Sequence, residues 1–454
     1  MESPDYISPI IDVIKPYDPI DLLAKVGALQ LCPQNADYAI RLEALAHAVN
    51  CITYKPDRPT LTRRRLARIC NAPPLCGGEI ESQEDPASNP FTEAFTFYGG
   101  SYIVFPGQLS EPTFILKCLL NAIFHSDGFN SQSEYKNKIY GLTRCLLEIS
   151  DEIATRARLV RNMAPILNTQ SIFIPQNIDH AKDFVIFSLQ EIDDILDSLS
   201  LTHSALDPFV QSFGQLRSDL YSFQNSPLHS KPIVRFENSF IVFEPWMLLA
   251  SLRHQILLTA KEFGLLELLF EEYQIKILNS VGVSLDRMGH HQIPFNFEKT
   301  DAQINIHESI WGLDTDKIIY VAVIPDNFTD YVGDELFENK SNFEKGEVLD
   351  PHLTRVEQQI RKEIANLDEI LFLIINAGIG RTQIIGLQLD KLSQEPIALI
   401  LSASDLETIS LLRSLDQLVL YKFAKAQLSI RERTAIISWS PLDEFAVYRR
   451  NDYS

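Results

Sequence analysis

The sequence predicts an α/β fold, α+β overall: a helix-rich region over residues 1–230, then an α/β region with a mixed sheet over 231–454. Three observations predict it. Apolar residues of the first half recur at helical spacing between polar, proline-bearing loops. Residues 224–232, Gln-Asn-Ser-Pro-Leu-His-Ser-Lys-Pro, have linker composition. From residue 290 onward, strand-like runs alternate with helical ones, which is the pattern of an α/β sheet.

The elements of the first half follow from local signals. Asp18-Pro19 reads as an N-cap with proline at the first helical position, ahead of Leu22, Val26 and Leu29 on one face. Asn35 is expected to cap a second helix carrying Ile40, Leu45 and Val49. Residues 71–112 are dense in proline and glycine, which excludes a long helix; residues 102–105 are expected as a strand. Helical pattern resumes with Phe114, Leu119, Leu120, Ile123 and Phe124. Ser150 is expected to cap a helix with Ile153, Ala157 and Val160. A further helix carries Leu189, Ile192, Ile195, Leu196 and Leu199, with Glu191, Asp193, Asp194 and Asp197 on its outer face.

In the second half, residues 233–236 and 240–243 read as strands, and 246–278 as one or two buried helices. Residues 304–313 and 318–324 read as neighbouring strands, followed by an acidic loop over 326–350. Asp350-Pro351 is expected to open a helix with Leu353, Val356, Ile360 and Ile364 on one face and a Glu357–Arg361 pair outside. Residues 370–375 and 397–401 read as buried strands, and Ser404 with Glu407 as a capping box before a last helix.

Charge and cysteine content narrow the partners. The formal net charge is -20 over 454 residues, which disfavours a polyanion such as nucleic acid and favours a protein partner. Arg63, Arg64, Arg65 and Arg68 form the one dense basic patch, read as a solvated helix face. Six cysteines, with no CxxC pair among them, read as free thiols in a reducing cytoplasm. The start, Met-Glu-Ser-Pro-Asp, lacks signal-peptide character, and no apolar run is long enough to span a bilayer, so no membrane partner is expected. The last residues supply no closing element, and the chain is expected to continue past Ser454.

One cluster suggests chemistry. In Leu313-Asp314-Thr315-Asp316-Lys317, between two strands, Asp314 and Asp316 are candidate Mg²⁺ ligands and Lys317 a candidate charge stabiliser for phosphodiester cleavage. Glu271 or Glu272, on the preceding helix, is the candidate helix-borne acid. The order helix, strands, helix, strand is that of restriction-endonuclease-like cores. The next strand, Tyr320-Val321-Ala322-Val323, lacks the acid-x-lysine such a site needs, so the core reads as degenerate. The plainer alternative makes 314–316 a polar turn. No other cofactor is expected. Gly378-Ile379-Gly380-Arg381 after a strand suggests a phosphate loop but lacks the GK[ST] ending; a hairpin is the plainer reading. His290-His291, with His307 and Glu308 further on, are a candidate metal group, but two adjacent histidines on a strand point to opposite faces and would not chelate together.

Four stretches carry a resemblance. They are Tyr17-Asp18-Pro19 with Leu29-Gln30-Leu31 and Glu43-Ala44-Leu45-Ala46; Phe97-Tyr98-Gly99-Gly100 to Val104-Phe105-Pro106-Gly107; Leu313 to Lys317 with Tyr320-Val321; and Asp443-Glu444-Phe445-Ala446-Val447-Tyr448-Arg449. Together they resemble a group of large uncharacterised bacterial proteins that carry preprotein-translocase-like or SEC-C zinc-chelating labels. The resemblance implies a bacterial cytosolic protein and no particular activity. The Cys-rich tail behind the zinc label is missing from this sequence, so neither zinc nor translocation carries over. The reading that results is a non-catalytic interaction or regulatory module. The alternatives are a metal-dependent nuclease and a nucleotide-binding regulator.

Overall fold

The computed structural model describes residues 6–76, 90–107, 112–166, 170–220, 227–297, 306–312, 317–325, 342–364, 367, 369–377, 397–411, 418–422 and 424. The chain divides into two compact units. One comprises Met1–Lys117, Asp127–Leu266 and Tyr331–Glu338; the other comprises Cys118–Ser126, Glu267–Asp330 and Asn339–Ser454. Residues 231–266, which composition assigns to the second half, therefore pack in the first unit. Linker composition marks a loop, whereas strand pairing is non-local. Within 224–232 lies a short helix, Pro227–Ser230, with Leu228 and His229 fully buried.

In the first unit, helix α1 (Ser8–Ile14) precedes α2 (Pro19–Gln30) and α3 (Ala39–Asn50). The Asp18 carboxylate accepts from the Ile20 amide at 2.9 Å, so the predicted cap forms. Nearly every residue of α2 is buried. Gly27 makes this possible, because a Cβ there would stand 2.7 Å from the Val242 carbonyl oxygen. Asn35 caps nothing: it lies in a 3₁₀ turn, and α3 starts at Ala39. Helix α4 (Arg63–Cys70) follows.

Strands β1 (Glu93–Phe97) and β2 (Gly100–Val104) form an antiparallel hairpin. Tyr98 and Gly99 both have positive φ in its two-residue turn, the geometry that matches strand twist. Helix α5 (Pro112–Phe124) and the long α6 (Ser133–Arg156) come next. Ser150 lies inside α6 rather than at its start, and its hydroxyl donates to the Ile103 carbonyl at 3.0 Å.

A second sheet follows, with β3 (Ile186–Ser188), β4 (Val210–Ser212), β5 (Ile233–Phe236) and β6 (Ser239–Val242) in the order β3-β6-β5-β4. Helix α7 (Leu189–Ser198) has a full Ser188–Glu191 capping box. Helix α8 (Leu248–Glu262) is buried on most sides, as its continuous apolar sequence requires.

The second unit is an α/β sheet with a helix on each face. Helix α9 (Leu266–Arg287) leads into β7 (His291–Ile293), β8 (His307–Gly312) and β9 (Lys317–Pro325), an antiparallel meander. Helix α10 (Asn342–Glu363) then crosses to β10 (Glu369–Ala377), parallel to β9; β11 (Ile397–Ser402) is parallel to β10, and α11 (Ala403–Ser410) follows. The order is β11-β10-β9-β8-β7, so the sheet is mixed, as predicted.

Two boundaries differ from expectation. Helix α10 begins nine residues before Pro351, so 342–350 are helix rather than loop. The Asp-Pro pair has the chemistry of a helix start, but an interior proline removes only one helical hydrogen bond, a cost the rest of the helix outweighs. Helix α11 begins at Ala403, one residue before Ser404.

The two faces of this sheet have separate cores. Ile310, Ile318, Tyr320, Ala322, Ile324, Ile370, Phe372 and Ile374 pack against Leu353, Val356 and Ile360 of α10. The alternate residues Ile319, Val321, Val323, Leu371, Leu373 and Ile375 are equally buried and face the α9 side.

Candidate functional site

Strand β8 distributes its polar residues by the alternation of a pleated strand. His307 and Glu308 are adjacent and serve opposite faces. On the α9 side, His307 Nε2 lies 3.1 Å from Gln274 Oε1, an oxygen that only accepts, so the ring nitrogen donates. Burial pushes the His307 pKa down, which keeps the ring neutral. Tyr273, one residue before Gln274, donates its hydroxyl to the Ala377 carbonyl at 3.2 Å, tying α9 to the end of β10.

On the α10 side, Glu308 Oε1 is the centre of a three-residue cluster. Tyr320 Oη donates to it at 2.7 Å, and His352 Nε2 lies 2.9 Å away. Tyr320 is fully buried and His352 nearly so, while the Glu308 side chain keeps 15% exposure. Burial, then the Glu308 charge and hydrogen bond, hold the Tyr320 phenol well above its ordinary value, so it stays a proton donor. Strands β8 and β9 and helix α10 each supply one member. The arrangement brings two side chains onto one carboxylate oxygen.

The residues singled out by sequence are placed as follows. Lys317 opens β9 opposite Glu369 of β10, with its ammonium 3.2 Å from the Glu369 carboxylate. The same ammonium lies 5.5 Å from the centre of the Tyr421 ring. Glu271 is exposed on α9 and Glu272 half-buried, whereas the residues α9 buries are Leu269, Tyr273, Gln274, Ile277, Val281, Ser284 and Leu285. Asp314, Asp316 and Gly378 to Arg381 lie outside the described residues.

Among the described residues, no group of three or more His, Cys, Asp or Glu side chains could hold a metal ion. His290 precedes β7 and is buried, whereas His291 opens the strand and is exposed. Burial and the neighbouring His291 push His290 down to about 4. In the first unit, Arg63 of the basic patch is not free. Its guanidinium donates to the Ile174 and Pro175 carbonyls. Arg65 lies 5.8 Å from the Tyr17 ring centre.

Sequence reasoning missed Tyr320 and His352 as partners of Glu308. The available signals were a single tyrosine in the aliphatic run of β9 and the acid next to His307 in β8. Neither signal points to a histidine 44 residues away along the chain.

No helix among the described residues is long and apolar enough to cross a membrane. Fold and site thus define a chain of α+β class whose second unit is a mixed sheet between helices. Comparison with protein-family models, with curated proteins and with solved structures finds no match.

Proposed function

We propose that the chain is a non-catalytic protein-interaction or regulatory module. What supports the reading is that its second unit runs helix, strand, strand, strand, helix, strand, an order analogous to restriction-endonuclease-like cores, while β9 lacks the acid-x-lysine such a site needs. One observation carries the reading. A helix-borne acid on α9 can meet strand-borne groups only on the sheet face that α9 covers. At the described positions of that face, β9 presents Ile319, Val321 and Val323, and β8 presents His307, Ser309 and Trp311. Lys317, at the start of β9, is engaged by Glu369 and Tyr421. Among its described residues this face carries one carboxylate, Glu369, already paired with Lys317, and no group of three that could hold a metal ion. The net charge of -20 favours a protein partner over a nucleic acid. Six cysteines outside any disulfide suit a reducing compartment such as a bacterial cytosol.

The test is a cleavage assay on single- and double-stranded DNA and RNA with Mg²⁺ or Mn²⁺, comparing the wild-type chain with Asp314→Ala. The expected result is no cleavage by either protein. Metal-dependent cleavage by the wild type that Asp314→Ala abolishes would overturn the reading in favour of the nuclease.

A further inference from the structure

The segment Ser171-Ile172-Phe173-Ile174-Pro175 of the first unit is neither helix nor strand, yet its backbone is held residue by residue by side chains. Asn71 takes both polar groups of Ile172: the Ile172 amide donates to Asn71 Oδ1 at 2.7 Å, and Asn71 Nδ2 donates to the Ile172 carbonyl at 3.0 Å. Asn35 does the same for Phe173, at 2.7 and 3.0 Å. Arg63 continues the series. Its Nη2 donates to the Ile174 carbonyl at 2.9 Å, and its Nε reaches the Ile174 and Pro175 carbonyls, each at 3.1 Å. Asn35 is itself fully buried and anchored by a 2.9 Å bond to the Leu29 carbonyl.

Side chains of the segment alternate as in a bound strand. Ile172 is 3% exposed and Ile174 5%, while Phe173 between them is 41% exposed. Each asparagine amide presents one donor and one acceptor, as one residue of a neighbouring strand would. That is how extended peptides are gripped irrespective of sequence, with pockets for alternate side chains supplying the selectivity.

We propose that Asn35, Arg63 and Asn71 form a binding groove for an extended peptide of aliphatic-x-aliphatic-Pro sequence. In this structure the chain's own residues 172–175 fill the groove as a displaceable strap. The cis segment defines the occupant: two aliphatic side chains two residues apart, a proline after the second, and an unselected position between them. The groove has no dependence on the bases or charge of a nucleic acid. The inference deepens the reading of the chain as an interaction module, and it fails separately from it. Metal-dependent cleavage would sink the non-catalytic reading and leave peptide binding untouched.

The experiment uses the full chain with Ile172→Asp and Ile174→Asp together to release the strap. The probe is a fluorescein-labelled peptide of the sequence 171–176 read by anisotropy. The control is the same peptide with aspartate at both isoleucine positions. The released variant is expected to bind the probe at least tenfold more tightly than the wild type and to ignore the control. Adding Asn71→Ala to the released variant should weaken binding tenfold or more. Absence of probe binding by a released variant that keeps the wild-type thermal unfolding overturns the proposal. If that variant does not fold, amide hydrogen exchange on the wild type decides. Exchange at Ile172 and Phe173 faster than in α2 and α3 supports a displaceable strap, and exchange only with global unfolding overturns it.

Discussion

Tyr320 Oη donates to Glu308 Oε1 at 2.7 Å, so a fully buried phenol on β9 is satisfied by the acid on β8 two residues from its register partner Ile310, on the same face of the sheet. His352 of α10 shares the same oxygen at 2.9 Å. Deleting the donor and deleting the acceptor should therefore have unequal effects. Tyr320→Phe keeps the ring packing and removes one bond to a carboxylate, at a cost of about 1–2 kcal/mol once the partial exposure of Glu308 is allowed for. Glu308→Leu leaves the Tyr320 hydroxyl buried without its acceptor and should cost more, about 2–3 kcal/mol. Glu308→Gln retains an acceptor and should fall between them. Urea unfolding of the three variants checks the order. A Tyr320→Phe cost equal to or above that of Glu308→Leu would mean that the cluster does not hang on the carboxylate.

Local signals made much of this architecture legible. Asp18-Pro19 specifies its helix because both the cap and the fixed proline φ act within three residues. The aliphatic runs of β9, β10 and β11 declared a sheet buried on both faces. The failures share one cause, which is partners that are remote in sequence. Asn35 reads as a cap because asparagine favours caps, yet its amide is taken by Phe173, 138 residues on. Ser150 reads as a helix start and instead bonds the Ile103 carbonyl of β2 from mid-helix. Glu308, Tyr320 and His352 converge only because β8 and β9 pair and α10 packs on them. The polar stretch before residue 233 suggests a domain boundary, but β5 pairs with β4 and β6 with β3, both from before it.

Three of the buried histidines contribute to the acid side of the stability profile. Burial pushes His47, His254 and His290 each down to about 4; for His47 the bond to the Arg217 carbonyl opposes the shift and His229 adds to it. Unfolded histidine titrates at about 6.5. Between those values the unfolded chain binds more protons than the folded one, so stability rises with pH across that window. It is complete near pH 7 and declines as pH falls toward 4, by up to about 1.4 kcal/mol per pH unit for each histidine. His47→Gln keeps a donor for Arg217 and removes the titration. Urea unfolding at pH 7, 6 and 5 should show a shallower decline for this variant than for the wild type, and parallel declines would contradict the assignment.

Thiol reactivity should divide the six cysteines. Cys70, Cys118 and Cys145 are buried, while Cys32, Cys51 and Cys76 are half-buried. Burial pushes the thiols of Cys32, Cys70 and Cys145 up to about 12, which leaves almost no thiolate at neutral pH. Labelling with iodoacetamide at pH 7.5, mapped by mass spectrometry, should modify Cys51 and Cys76 first. Cys70, Cys118 and Cys145 should react only after denaturation. Early labelling of Cys70 would show that α4 opens readily.

Lys25 gives the sharpest stability prediction, because its ammonium uses all three protons inside the first unit. Its Nζ lies 2.8 Å from Asp21, 2.6 Å from the Leu61 carbonyl and 2.7 Å from Asp179, with the residue fully buried. Asp21 also receives Lys182 at 2.6 Å. Burial alone would raise the Asp21 pKa, but the hydrogen bonds and charges of Lys182 and Lys25 outweigh it and hold the carboxyl below its usual range. A depressed folded pKa contributes stability that is present above the unfolded value of about 3.9 and is lost as pH falls through the folded value. Lys25→Met fills the space yet strips Asp21 and the Leu61 carbonyl of a donor, and removing one partner of a buried pair costs about 3–5 kcal/mol. The double variant Lys25→Met with Asp21→Leu removes both charges and should recover part of that loss. Urea unfolding at pH 7 measures both, and the acid loss below about pH 4 that belongs to Asp21 should be missing from the double variant, which has no carboxyl at position 21. A double variant less stable than Lys25→Met would mean that Asp21 is held chiefly by Lys182 and the Leu61 amide rather than by Lys25.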